Sequence, residues 1–168
     1  TIAQFVQNRK LPDIDEQRYL KEAQQQIQSL FDQKGTQRIN QLRQAYQDCM
    51  TQHCGVFRTE ASLREGLNEL QQLQEQYQQI YLDDQSKLWN TEIIEALELR
   101  NLMVVGQLII ASALNRSESR GAHCREDYPE RDDSNFLKHT MAYYSPAGID
   151  LQYLPVAITM FQPQERKY

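Results

Sequence analysis

Residues 90–116 read NTEIIEALELRNLMVVGQLIIASALNR, and the fold depends on what this stretch becomes. Asn90 or Thr91 can cap a helix, because a short polar side chain accepts from the N–H groups that a first helical turn leaves unpaired. No proline interrupts the run to about Arg116. One helix of roughly 36–39 Å follows, at 1.5 Å per residue. It is polar early, at Glu92, Glu95, Glu98 and Arg100, and later apolar on most faces. That pattern predicts the central, most buried helix of a bundle. The longest apolar run, Leu102 to Leu114, is broken by Gly106, Gln107 and Ser112. It is too short to span a bilayer.

Moving back along the chain, Thr59 can cap another helix, with Leu63, Leu67, Leu70, Leu73, Tyr77 and Ile80 on one seam. Steps of four and three predict packing against nearly parallel neighbours. Asp83 to Trp89 connects this helix to the long one, and Gly55-Val56-Phe57-Arg58 breaks the pattern before it. An earlier helix, capped by Thr36, carries Ile39, Leu42, Tyr46, Cys49, Met50 and His53 on its apolar stripe. Before that, Asp13 or Asp15 can cap a helix to about Lys34, with Tyr19, Leu20, Ala23, Ile27, Leu30 and Phe31 at helical spacing. Gly35 suits the left-handed residue just past its end. Residues 1 to 12 read as a linker ending at Leu11-Pro12, and the opening Thr1 points to a truncation site in a longer protein.

Moving forward, residues 118 to 133 hold nine charges in sixteen positions, six acidic and three basic. Tyr128-Pro129 disfavours helix there. His139 to Ser145 and Ile149 to Val156 read as two strands, turning at Pro146-Ala147-Gly148, with Pro155 placing the second at an edge. The predicted fold is mainly α: an antiparallel three-helix bundle, spectrin-repeat-like, with a preceding helix and a small C-terminal β-hairpin. The division is 1–35, a linker and helix leading in, and 36–168, the bundle with its charged segment and hairpin.

Composition narrows the function classes. The net charge is −5 and no basic stripe with interleaved aromatics is present, which argues against nucleic-acid binding. The mean hydropathy of −0.73 is low. Its cause is glutamine, with 17 in residues 13 to 80. The three cysteines, Cys49, Cys54 and Cys124, are an odd number and fit a reducing compartment. The six glycines are scattered and no two form a GxG, so the chain lacks the spacing that lets backbone approach a dinucleotide pyrophosphate. Cys49 and His53 would share a helix face, but a structural zinc needs four ligands. Only Cys54, His123 and Cys124 could add to them, and nothing in the sequence brings these close. Packing in the core is the simpler role for Cys49. Cys124 beside His123 or His139 shows no orienting pattern for a nucleophilic pair.

The charged segment is the densest polar cluster. It reads either as a solvated loop of weak ion pairs or, since His123, Tyr128 and Phe136 lie in and beside it, as an ordered surface fixed by arginine forks. Glu118-Ser119-Arg120-Gly121-Ala122-His123, then Arg125-x-Asp127-Tyr128-Pro129-Glu130-Arg131-Asp132-Asp133-Ser134-Asn135-Phe136-Leu137-x-His139, resembles the C-terminal region of succinate dehydrogenase and fumarate reductase flavoproteins. Gly55-Val56-Phe57-Arg58-Thr59, Leu82-Asp83-Asp84 with Asn90-Thr91, Leu97-Glu98-Leu99-x-Asn101-Leu102-Met103 and the tail from Pro163 follow in family order. L-aspartate oxidases share the Glu-Ser-Arg-Gly element and match the later part less well.

The resemblance implies a C-terminal helical domain of an FAD-dependent oxidoreductase that interconverts succinate and fumarate. The flavin and dicarboxylate sites would lie in domains that this chain lacks. It implies an iron–sulfur subunit as a further partner of the parent complex, and a cytoplasmic place at the face of a membrane. No catalytic, cofactor or metal residue maps onto the chain. The residues it singles out for docking on the flavin domain are Glu118, Arg120, His123, Arg125, Arg131, Asp132, Asp133 and His139. A stand-alone helical interaction module and the C-terminal domain of an L-aspartate oxidase are the competing readings.

Overall fold

The computed structural model describes residues 2–7, 13–145 and 147–164. In chain order the elements are α1 (Ile2–Gln7), α2 (Glu16–Asp32), α3 (Ile39–Cys54), β1 (Phe57–Arg58), α4 (Glu60–Tyr77), α5 (Thr91–Asn115), β2 (Cys124–Arg125), α6 (Asp133–Phe136), β3 (Lys138–Ser145) and β4 (Gly148–Pro155). Side-chain caps start α2, α4 and α5, and the short α6 has one as well. Asp15 accepts from the Arg18 N–H, Thr59 from the Ser62 N–H and Asn90 from the Ile93 N–H.

α3, α4 and α5 form the bundle that the seams predict. Leu63, Leu70, Leu73, Tyr77 and Ile80 are buried from the α4 side, against Ile39, Leu42, Tyr46 and Cys49 of α3 and Ala96, Leu99, Met103 and Ile110 of α5. Burying each large apolar side chain contributes about 1.5–3 kcal/mol. Directions follow from end-to-end contacts. Cys49 near the end of α3 donates to the Gly66 carbonyl near the start of α4. The Tyr77 hydroxyl at the end of α4 donates to the Ala96 carbonyl near the start of α5. Successive helices are therefore antiparallel. α3 and α5 run the same way, with the Tyr46 hydroxyl donating to the Leu102 carbonyl. α2 reaches the core through buried Leu30 and partly buried Phe31.

β3 and β4 pair antiparallel in an unbroken ladder from Lys138↔Pro155 to Ser145↔Gly148. Gly148 takes a φ of 127° at the turn, a conformation that favours glycine. Pro155 stands on the last rung, where its missing N–H disturbs least. Pro146 of the expected turn, the Leu11-Pro12 break and the last four residues of the tail lie outside the described residues.

Several local expectations change. Residues 2–7, read as linker, form the short helix α1. α3 starts at Ile39, and the expected cap Thr36 instead sits in an extended piece where the Gln37 N–H donates to the Gln79 carbonyl and the Tyr81 N–H to the Gln37 carbonyl. Gly35 is not a left-handed helix terminator, since α2 ends at Asp32 with extended Gln33 following. Glycine is needed there because backbone passes against it: a Cβ on Gly35 would lie 1.7 Å from the Gln79 oxygen. Finally, α5 contributes Ala96, Leu99, Met103, Ile110 and Ala113 to the core, but not every apolar face of it is covered. Leu102, Val105 and Ile109 form an exposed apolar stripe along its second half.

Replacing Gly35 with alanine forces the α4 end and the extended piece apart. We expect a loss of about 1–3 kcal/mol or more in denaturant unfolding, the scale of overpacking. An unchanged midpoint would contradict the close approach.

Candidate functional site

The charged segment folds back onto the bend between α3 and α4. Cys124 and Arg125 of β2 pair in parallel with Phe57 and Arg58 of β1, and the Glu126 N–H donates to the Arg58 carbonyl. Gly121, at a φ of 59°, makes the tight turn that lets Arg120 and His123 exchange backbone hydrogen bonds. The segment is thereby ordered by residues more than sixty positions earlier.

This placement carries Arg125 to the end of α5 with its side chain 0% exposed. The last carbonyls of a helix lack intrahelical donors and carry the negative end of its dipole. The Arg125 guanidinium meets both needs, donating to the carbonyls of Ala113, Leu114 and Arg116 at 3.1, 3.2 and 3.3 Å. Its other edge forks onto Asp127 at 2.7 and 2.8 Å. The Asp127 carboxylate also accepts from the Glu60 N–H at 2.8 Å, the first helical residue of α4. One ion pair thus closes the C-terminus of one helix and the N-terminus of another. The Arg125 fork holds the Asp127 carboxyl down to about 2, against the opposing push of partial burial.

Glu118 is the second node, and it too is 0% exposed. It accepts from Arg120 at 2.9 Å through each oxygen, from the Asp132 N–H at 2.9 Å and from Arg116. Burial pushes its carboxyl up, but those donors and the Arg120 charge outweigh it and leave the group below its ordinary value. Arg116, just past α5, also donates to the carbonyls of Phe136 and Lys138, and so ties α6 and β3 to the helix end. Arg120 and Arg131 share Asp133, and Arg131 reaches the Gln164 carbonyl of the tail.

His123 stands between Arg58, 3.2 Å from Nδ1, and the Arg116 carbonyl, 3.1 Å from Nε2. Nδ1 accepts and Nε2 donates in the neutral ring. Burial pushes its pKa down, and the charges of Arg58, Arg125 and Arg116 act in the same direction. Together with the α5 stripe, these residues border a cleft of about 690 Å³, lined by Val105 and Ile109 and rimmed by Arg58, Arg120, Lys138 and His139.

The eight residues singled out for docking therefore separate. Glu118 and Arg125 are buried inside this domain and organise it from within. Arg120, His123 and His139 line the cleft. Arg131, Asp132 and Asp133 hold the loop beside it: Asp132 caps α6 by accepting from the Asn135 N–H. Arg58, Arg116 and Asp127 were missed. A basic residue at a helix end is the signal that could have found Arg116, whereas Asp127 meets the start of α4 only across 67 positions of chain. Cys124 lies in β2 of this segment, whereas Cys49 and His53 sit elsewhere, on α3. Cys49 is buried and its thiol is pushed up to about 11 by burial, with Glu69 adding to it, so no thiolate is available there at neutral pH. His53 is buried between Ser62 and Glu69. Among the described residues no His, Cys, Asp or Glu cluster has the makings of a metal site, and no helix is long and apolar enough to cross a membrane.

The bundle and the Arg125–Asp127 clasp together define a helical domain with an internally ion-paired end and an open apolar cleft. Residues 43–168 match the family described as fumarate reductase flavoprotein C-term, and the chain belongs to that family. It is 39% identical over 143 residues to the fumarate reductase flavoprotein subunit of Haemophilus influenzae, covering 84% of this chain and 24% of that protein. It is 42% identical over 122 residues to the succinate dehydrogenase flavoprotein subunit of Rickettsia conorii, covering 72% of this chain and 20% of that one. In structure it matches an E. coli quinol fumarate reductase FrdA variant at a TM-score of 0.85 and 32% identity, over 92% of this chain and 27% of that chain. An adenosine-5-phosphosulfate reductase shares the fold at a TM-score of 0.75 and 18% identity, over 88% of this chain and 26% of that one. The chain spans about a quarter of the length of the curated relatives it matches.

The sign of the acid dependence follows from Asp127. A carboxyl held at about 2 when folded, against an ordinary value of about 3.9, stabilises the fold fully above pH 4 and progressively less as the pH falls toward 2. Urea midpoints of the chain should drop across that window. In Asp127→Asn the midpoint at pH 7 should be lower and the fall shallower; an equal fall in both would contradict the assignment.

Proposed function

We propose that this chain is the C-terminal helical domain of the flavoprotein subunit of an FAD-dependent oxidoreductase interconverting succinate and fumarate. Its own role is structural, and it docks on the flavin-binding part of the parent chain. The exposed α5 stripe carries this reading. Val105 and Ile109 lie open to solvent on a bundle helix, beside a cleft whose rim is cationic. Contiguous apolar surface rimmed by polar groups marks a protein interface. Within the docking set, Arg120, His123 and His139 face this cleft, Arg131, Asp132 and Asp133 brace its border, and Glu118 and Arg125 fix it from inside.

The division follows, with residues 1–35 leading from the flavin-binding part and 36–168 forming the docked domain. FAD and the dicarboxylate sites belong to the rest of the parent chain, since the glycines here are too scattered to cradle a pyrophosphate. The reaction is a two-electron exchange between succinate and fumarate. The electrons pass between the flavin and an iron–sulfur subunit of a complex peripheral to the cytoplasmic face of a membrane.

Ile109→Asp tests the docking. The residue is exposed in the bundle, so the isolated domain should keep its unfolding midpoint. In the full-length parent chain an unpaired carboxylate would be buried at the contact, at a cost of several kcal/mol. Flavin content and fumarate turnover should fall by tenfold or more. Wild-type flavin content and turnover in that variant would contradict the proposal.

A further inference from the structure

The opposite end of α5 carries a second apolar surface that the docking contact does not use. Trp89 is 98% exposed and Leu88 beside it 78%. Trp89 also has a φ of 58°, a left-handed conformation that is costly for a bulky side chain and persists only where its surroundings impose it. The imposing group is buried Asn90. Its amide donates to the carbonyls of Asp84 and Ser86 at 2.7 and 3.0 Å, and its oxygen accepts from the Ile93 N–H at 3.1 Å. The indole is thus held outward by a hydrogen-bonded turn.

It stands on the edge of a groove of about 910 Å³ between α2 and the start of α5, floored by Ile27, Phe31 and Ile94. Among the described residues the only charges lining it are Lys21 and Lys87. On a chain of net charge −5, that is a local reversal of sign.

We propose that this groove is a binding site for a separate polypeptide, which inserts an apolar segment flanked by carboxylates. The segment's apolar side chains cover Ile27, Ile94 and the indole of Trp89, and its carboxylates meet Lys21 and Lys87. A rigidly presented aromatic inside an apolar patch is the usual anchor of such contacts. The cationic rim selects an acidic partner and speeds its encounter. A second copy of this chain fits less well, because a two-fold contact repeats the same patch on both sides and sets lysine against lysine. The surface is distinct from the Val105–Ile109 cleft, so the two contacts can fail separately.

The test places p-benzoylphenylalanine at position 89 of the full-length parent chain in its own cells, with mapping of the photo-adduct. The expected adduct joins position 89 to a different polypeptide, within an apolar stretch that has Asp or Glu on its flanks. Lys21→Glu with Lys87→Glu should cut the yield tenfold or more, Lys21→Arg with Lys87→Arg should preserve it, and flavin content should not change in either. An adduct within the parent chain, to a second copy or to lipid, no adduct, or a yield indifferent to charge reversal would overturn the proposal. Loss of flavin with the charge reversal would instead assign this groove to the flavin-binding part of the parent chain and likewise overturn it.

Discussion

Arg125 lies fully buried where the end of α5 meets the start of α4, and its guanidinium is the meeting point of two unsatisfied helix termini. The helix carbonyls need donors, the first N–H groups of α4 need an acceptor, and the Arg125–Asp127 pair supplies both. A buried charge is costly unless every donor is matched. Here two edges of the guanidinium are engaged by three carbonyls and a carboxylate. The β1–β2 pairing places that side chain there, and the Gly121 turn and the Glu118 node hold the rest of the segment beside it. The same residues that order the segment also set the rim of the cleft beside it, because Arg58, Arg120 and His123 are shared between the two.

Much of this architecture could be read locally. Thr59, Asn90 and Asp15 act as caps because a cap depends on the three residues that follow it. The α4 seam and the hairpin alternation are likewise short-range patterns. What escaped was long-range. Gly35 reads as a helix terminator from its neighbours, but its role is set by Gln79, which passes against it. The segment from Glu118 reads as surface by composition, yet Glu118 and Arg125 are interior, because the partners that make them so lie on α5, β1 and α4. Asp127, missed by sequence, becomes visible only once the helix ends are placed together. The stretch from Thr91 to about Arg116 reads as the central, most buried helix, polar early and later apolar on most faces. The structure leaves its Val105–Ile109 face open, which the docking proposal accounts for as the contact with the remainder of a longer chain.

The family gives the domain its setting, and the physical reading gives it a task. A domain with one apolar cleft over a rigid ion-paired end and a second groove at the far end of the same helix is suited to hold other polypeptides in register. The contribution we propose for it is positional: α5 spans about 36 Å between the two surfaces, and Arg125 donates to the carbonyls of its last turn.

The claim that the clasp governs the charged end is tested most directly by a double-mutant cycle in the chain, comparing Arg125→Met, Asp127→Asn and the two combined by denaturant unfolding at pH 7. The account predicts a coupling of about 1.5–3 kcal/mol between the two sites, the range for directly contacting charged partners. A coupling below about 0.5 kcal/mol, the range of independent sites, would contradict it.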